Sequence, residues 1–276
     1  MAVAMYRQFA ALLPELRWQP TGKRVRVLVA GEVIADTVAA RLVWEPKRVV
    51  PSYAVPERDI TAELVPLGNA VVTVERPVPL GEGPPVLDPS TGFGAHTTPG
   101  EAMTVLTRNA REDGAAFRAA DPDLAGYVVL DFGAFDWWEE DEPIIGHPRD
   151  PFSRIDVRRS SRHIRLELDG VVLADSIRPQ LLFESGFPMA RYYLPREDVL
   201  VELTPGTLQT VCAYKGHATH YSAVVGDRIV PNIAWSYENP LSDAGQVKSL
   251  VSFYQEQLDL SVDGDPVARP RTPPWS

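Results

Sequence analysis

The chain has 276 residues, 45% of them hydrophobic and 23% charged, with 37 acidic against 27 basic side chains and a net charge of −10. That length exceeds what one hydrophobic core serves, and an acidic balance repels phosphate backbones and anionic lipid surfaces, so no nucleic-acid or membrane partner is expected. The single cysteine, Cys212, allows neither an internal disulfide nor a multi-cysteine zinc site, and no run of about 18 apolar residues occurs, which points to a cytoplasmic, reducing setting.

Residues 4–13 carry Met5, Phe9, Leu12 and Leu13 at helical spacing until Pro14 stops the pattern, and a short helix packed on the first domain is expected. From Val25 the period changes to two: Val25, Val27 and Val29 share a face, Ala30-Gly31 turns the chain, and Val33 and Ala35 return. The stretch Arg24–Pro66 then recurs without a gap as His163–Pro205. An offset of 139 pairs Gly31 with Gly170, Asp36 with Asp175, Glu45 with Glu184, Tyr53 with Tyr192, Pro56 with Pro195 and Asp59 with Asp198, and 13 of 43 positions are identical. An internal tandem follows.

Between the copies, Pro77–Gly100 holds six prolines and five glycines in 24 residues, too many breaks for a regular element. The region up to Asp123 reads as an elaboration of the first copy. Register then returns at an offset of 100, which sets Gly126 against Gly226, Phe135 against Trp235 and Trp137 against Tyr237. Breakers at Gly146–Pro151 mark the domain boundary. In the second copy Ile164–Leu168 and Val171–Ala174 form a hairpin around Asp169-Gly170, a dipeptide that tolerates positive φ. Further strands are expected at Leu181–Phe183, Val199–Leu203, Leu208–Tyr214 and Thr219–Val225, with turns at Lys215-Gly216 and Gly226-Asp227. A short helical turn is expected within Ser242–Ser249, then closing strands at Leu250–Tyr254 and Leu258–Val262. The fold class is mainly β: two tandem copies of a small antiparallel β domain with few short helices. The domains are 1–145, with the N-terminal helix and the long insertion, 146–264, and a loose tail at 265–276.

The strings RLELDGVVLADSIRP, YYLPREDV, CAYKGHATHY and IAWSYENPL resemble the bacterial domain-of-unknown-function 427 family, in its two-domain form. The second half matches nearly throughout. The first keeps the opening hairpin, Glu45, Tyr53, Pro56 and Asp59, but has Pro99-Gly100 for Lys215-Gly216 and Phe135 for Trp235. The resemblance implies a compact, mostly β domain, with a tent-like pair of small sheets meeting at an angle as one form. The cysteine pairs that hold zinc in many tent folds are lacking here. Its label leans toward nucleotidyl transfer, an analogy at fold level that fixes no function.

Glu45 and Glu184 each close an apolar strand and need a partner if buried; Arg191, Arg196 and Lys215 are candidates for that role. His217 and His220 fall on opposite faces of a strand, which disfavours a shared metal. Nucleotide-binding, metalloprotease and nucleophile-elbow motifs are lacking, so no catalytic residue is assigned. The expected function is binding of an anionic or aromatic metabolite in a pocket of the second domain formed by Glu184, Tyr193, Lys215, Tyr221 and Trp235, without metal or cofactor. The alternatives are an enzyme acting on a small metabolite, including nucleotidyl transfer through Asp175, Glu184 and Asp198, and a protein-interaction module.

Overall fold

The structure is a computed structural model that describes residues 2–68, 76–80, 83–187 and 189–270. Apart from Pro79–Gly83, which groups with the second, the chain divides into two compact units between Asp150 and Pro151. Among the described residues the first contains β1 (Arg17–Pro20), β2 (Val25–Val29), β3 (Glu32–Thr37), β4 (Arg41–Trp44), β5 (Ser52–Pro56), β6 (Glu63–Pro66), β7 (Gly100–Leu106), β8 (Arg111–Ala119), β9 (Tyr127–Leu130), β10 (Asp136–Glu139) and β11 (Glu142–Ile144). The second contains β12 (Ile155–Arg159), β13 (Ile164–Leu168), β14 (Val171–Ser176), β15 (Gln180–Glu184), β16 (Arg191–Tyr193), β17 (Leu203–Cys212), β18 (Gly216–Val225), β19 (Arg228–Ser236), β20 (Val251–Phe253), β21 (Asp259–Val262) and β22 (Asp265–Val267). In the first unit the strands form sheets in the order β1-β4-β5-β9-β8-β7-β6 and β11-β10-β2-β3; in the second, β12-β15-β16, β17-β18-β19-β20 and β14-β13-β21-β22. All these pairings are antiparallel, and the fold is mainly β.

Strand register carries the repeat further than identity does. Pro66 faces Met103 as Pro205 faces Tyr221, and Ala102 faces Phe117 as His220 faces Trp235, so β7 and β8 correspond to β18 and β19 at an offset of 118. Both pairs even share a bulge, between Met103 and Val105 and between Tyr221 and Ala223. Phe117 faces Val129 as Trp235 faces Ser252, and Trp137 faces Val27 as Leu260 faces Leu166, an offset of 123. The expected offset of 100 is therefore wrong: the structural counterpart of Trp235 is Phe117, not Phe135. The β7–β8 hairpin belongs to the common unit, and the extra length of the first copy lies in the loop before Gly100.

Local chemistry explains the shared frame. Ala30 and Gly31 take φ of +48° and +79°, Asp169 and Gly170 +50° and +80°, giving both hairpin turns two left-handed residues. Inward positions of β13, β14, β15 and β19, among them Ile164, Leu166, Leu173, Leu182 and Trp235, join in one core fed by all three sheets of the second unit.

Some expectations shift. The N-terminal helix, Met5–Ala11, buries none of its residues. Val199–Leu203 is not a strand; a 3-10 turn at Arg196–Asp198 leads into the ten-residue β17. The tail is ordered as far as β22, which pairs with β21. Residues 271–276 of the expected tail and 81–82 of the expected loop lie outside the described residues. No helix among the described residues is long and apolar enough to cross a membrane.

Candidate functional site

Glu184 ends β15, and Ser185 with the positive-φ Gly186 turns the chain away after it. Lys215 closes the turn Ala213–Lys215 between β17 and β18, where Gly216 at φ +102° re-enters the sheet in a conformation closed to other side chains. A surface turn is the usual place for lysine, yet this one points inward. Its Nζ donates to Glu184 Oε2 at 2.9 Å, with the lysine side chain 2% exposed and the glutamate 26%. Burial is the largest influence on the Lys215 pKa and lowers it; the Glu184 carboxylate, with Cys212, Tyr237 and Tyr193 acting in the same upward direction, outweighs it, so the ammonium holds its proton well above the ordinary lysine range.

Three fully buried aromatics of the same unit pack on one another. Trp235 Nε1 donates to the Tyr193 hydroxyl at 3.2 Å, and the Tyr193 ring lies 6.3 Å from Trp235, edge-on, and 6.5 Å from Tyr237. Burial raises the Tyr193 pKa, while Lys215, the Trp235 hydrogen bond and Arg191 act against that rise. Arg191 is itself buried, bidentate to Glu256 at 2.7 and 2.8 Å, with the Phe187 and Trp235 rings within 5.4 Å of its guanidinium carbon. On β18, β19 and β20, His220, Trp235 and Ser252 stand in one cross-strand row. His220 Nε2 meets Thr210 Oγ1 at 2.9 Å and burial lowers its pKa, so the ring is neutral. His220 Nδ1, Ser252 Oγ, Arg191 Nε and the Tyr237 hydroxyl have no hydrogen-bond partner among the described residues. Each orphaned buried polar group costs about 1–3 kcal/mol, and buried ion pairs do not repay such costs as stability.

The sequence-predicted set is thus mostly brought together: Glu184, Lys215, Tyr193 and Trp235 form one connected cluster. Tyr221 is not in it. It lies on the face of β18 opposite His220, where its hydroxyl accepts from Arg196 Nη2 at 2.7 Å beside Glu238. His217 is exposed and His220 buried, on opposite faces. The three carboxylates weighed for nucleotidyl transfer each have a separate partner. Asp175 binds His163 and Arg165, Asp198 binds Ser176 and Arg178, and Glu184 binds Lys215. No group of three metal-ligating side chains occurs among the described residues. Thr37 donates to Asp59 at 2.7 Å as Ser176 does to Asp198, so that link is a shared structural latch.

The model of the family described as "Domain of unknown function (DUF427)" matches residues 17–72 and 156–264, more than half of the chain. The chain belongs to this family. No curated protein matches it. The match to the first copy stops at residue 72, ahead of the extra loop, whereas in the second it runs almost from β12 to β22.

The two DUF427 copies treat the same glutamate differently. Carried along the strands, the register sets Thr97 opposite Lys215, and Pro99 is not its counterpart. Glu45 is buried and held three ways, by His96 Nδ1 at 2.9 Å and by the backbone amides of Thr97 at 2.7 Å and Thr98 at 3.3 Å. His96 stacks on Phe117 with centroids 3.7 Å apart. The loop carrying it is organised by the buried Arg48, which donates to the carbonyls of Thr91, Gly92, Phe93 and Ala95. At the positions of Tyr193, His220, Trp235, Tyr237 and Ser252 the first copy has Ala54, Ala102, Phe117, Ala119 and Val129.

Proposed function

We propose that the second DUF427 domain binds a small anionic metabolite, with the Lys215 ammonium as the charge that receives it. The observation that carries this reading is internal to the chain. The first copy builds the same order of strands with Ala54, Ala102, Phe117, Ala119 and Val129, so the fold does not require the polar groups at those places. A buried polar set that is costly and dispensable for folding is the kind retained for a ligand. Trp235, Tyr193 and Tyr237 supply apolar area with polar tips, as ligand sites do. An interaction module would not need these groups inside the domain, and an enzyme of the nucleotidyl-transfer type would need converging carboxylates.

A thermal-shift screen of anionic metabolites on the full chain tests this. Compounds that stabilise the wild type are expected to bind Lys215→Met roughly 10- to 100-fold more weakly, matching a charge-assisted hydrogen bond worth about 1.5–3 kcal/mol. Methionine fills similar volume, so the variant stays folded. Hits whose affinity is untouched by Lys215→Met would contradict the proposal.

A further inference from the structure

We infer that Glu184 is the resident occupant of this anion site: its carboxylate stands where the ligand's carboxylate binds, and the ligand head group is a monocarboxylate held by Lys215 and the Tyr237 hydroxyl. This deepens the proposed function and rests on it. Glu184 pairs with the buried ammonium while itself partly exposed, and Lys215 is its one side-chain hydrogen-bond partner among the described residues. Glu45, directly after the corresponding strand, is buried and fixed by three donors. The same residue is therefore a bolted structural group in one copy and a singly held, quarter-exposed one in the other.

The donors left over define the guest. An ammonium has three N–H donors and Glu184 takes one; the Tyr237 hydroxyl, fully buried, donates to nothing among the described residues. Tyr237 packs in the same core as Tyr193, with ring centroids 6.5 Å apart, and burial raises its pKa while Lys215 acts against the rise. One N–H and one O–H suit the two oxygens of a carboxylate. Charge supports the same class. Arg191 is neutralised by Glu256, so when Glu184 swings outward one positive charge remains, enough for a monoanion and too little for a phosphate monoester at about −1.5 to −2. Glu184 then acts as an internal competitor at high effective concentration, and a ligand gains entry by displacing it.

The test uses acetate as the probe on the full chain, against sodium chloride and inorganic phosphate at equal ionic strength. Glu184→Gln, which keeps the side-chain shape, is expected to bind acetate roughly tenfold or more tightly than wild type, seen as a saturable rise in Tm. Adding Tyr237→Phe should weaken acetate binding several-fold, and adding Lys215→Met should abolish it. Glu184→Ala should show the same acetate-specific rise, so either variant suffices if the other fails to fold. If acetate binds the Glu184 variants no better than wild type, or phosphate stabilises them more than acetate, the inference is overturned. Should wild type still bind anionic compounds through Lys215 in that event, the proposed function survives alone; loss of all Lys215-dependent binding removes both.

Discussion

Glu45 and Glu184 stand at the end of the same strand in two copies of one fold, and each is met by chain that leads into the next sheet strand. In the first copy an imidazole and two backbone amides close over the carboxylate, and Phe117 packs on the imidazole. In the second a single ammonium reaches it from inside the domain, among hydroxyls and ring nitrogens that the first copy replaces with alanine, phenylalanine and valine. The difference separates what this fold needs from what it tolerates. The glutamate and the Thr37–Asp59 and Ser176–Asp198 latches belong to the frame. The buried polar cluster belongs to one copy, which is why function is assigned to it.

The comparison breaks most visibly if the two glutamates are removed in turn. Glu184→Ala strands a buried ammonium, a loss of about 3 kcal/mol, whereas Glu45→Ala leaves an imidazole and two backbone amides short of an acceptor, about 1–2 kcal/mol. Urea midpoints of the two variants decide the order, and equal losses would remove the asymmetry. A smaller effect concerns acid. Arg178, and then Ser176, hold the Asp198 carboxyl below the usual aspartate range. A folded pKa below the unfolded one contributes stability that is present above the ordinary value near about 4 and is lost as pH falls through the depressed one. Asp198→Asn should therefore shrink the loss of unfolding free energy between neutral and acid pH, read from urea titrations, by less than about 1 kcal/mol because the pair is near the surface. An unchanged acid slope would make that latch a hydrogen bond without charge.

Much of the frame was legible in the sequence because it depends on residues with few substitutes. Asp169-Gly170 and Ala30-Gly31 adopt the positive φ that the hairpin reading required, Glu184 closes its strand as expected, and Glu45 directly follows β4. The middle of the repeat is not legible from identity, because sheet register is kept there by alternation and a shared bulge while identity fades. Matching glycines and aromatics by type aligned Trp235 with Phe135, whereas the ladders align it with Phe117. His96 lies among prolines and glycines, where no periodicity in the sequence shows which way a side chain points. Lys215 and Trp235 were read as site residues, yet burial of the lysine could not be anticipated from a turn. Tyr221 shares the aromatic pattern but faces away, a consequence of the one-residue alternation of β18. Arg191 came into view only as a partner for Glu184; its true partner, Glu256, lies 65 positions later in the chain.

The most direct measurement is a backbone and indole amide NMR titration of the full chain with the strongest anionic hit, repeated on Lys215→Met. The account predicts saturable shifts at the Trp235 indole, Gly216 and the residues flanking Tyr193 and Glu184, none at Thr97 and Thr98 beside Glu45, and no saturable response in the variant. Shifts centred on Thr97 and Thr98, or a response that survives Lys215→Met, would contradict it.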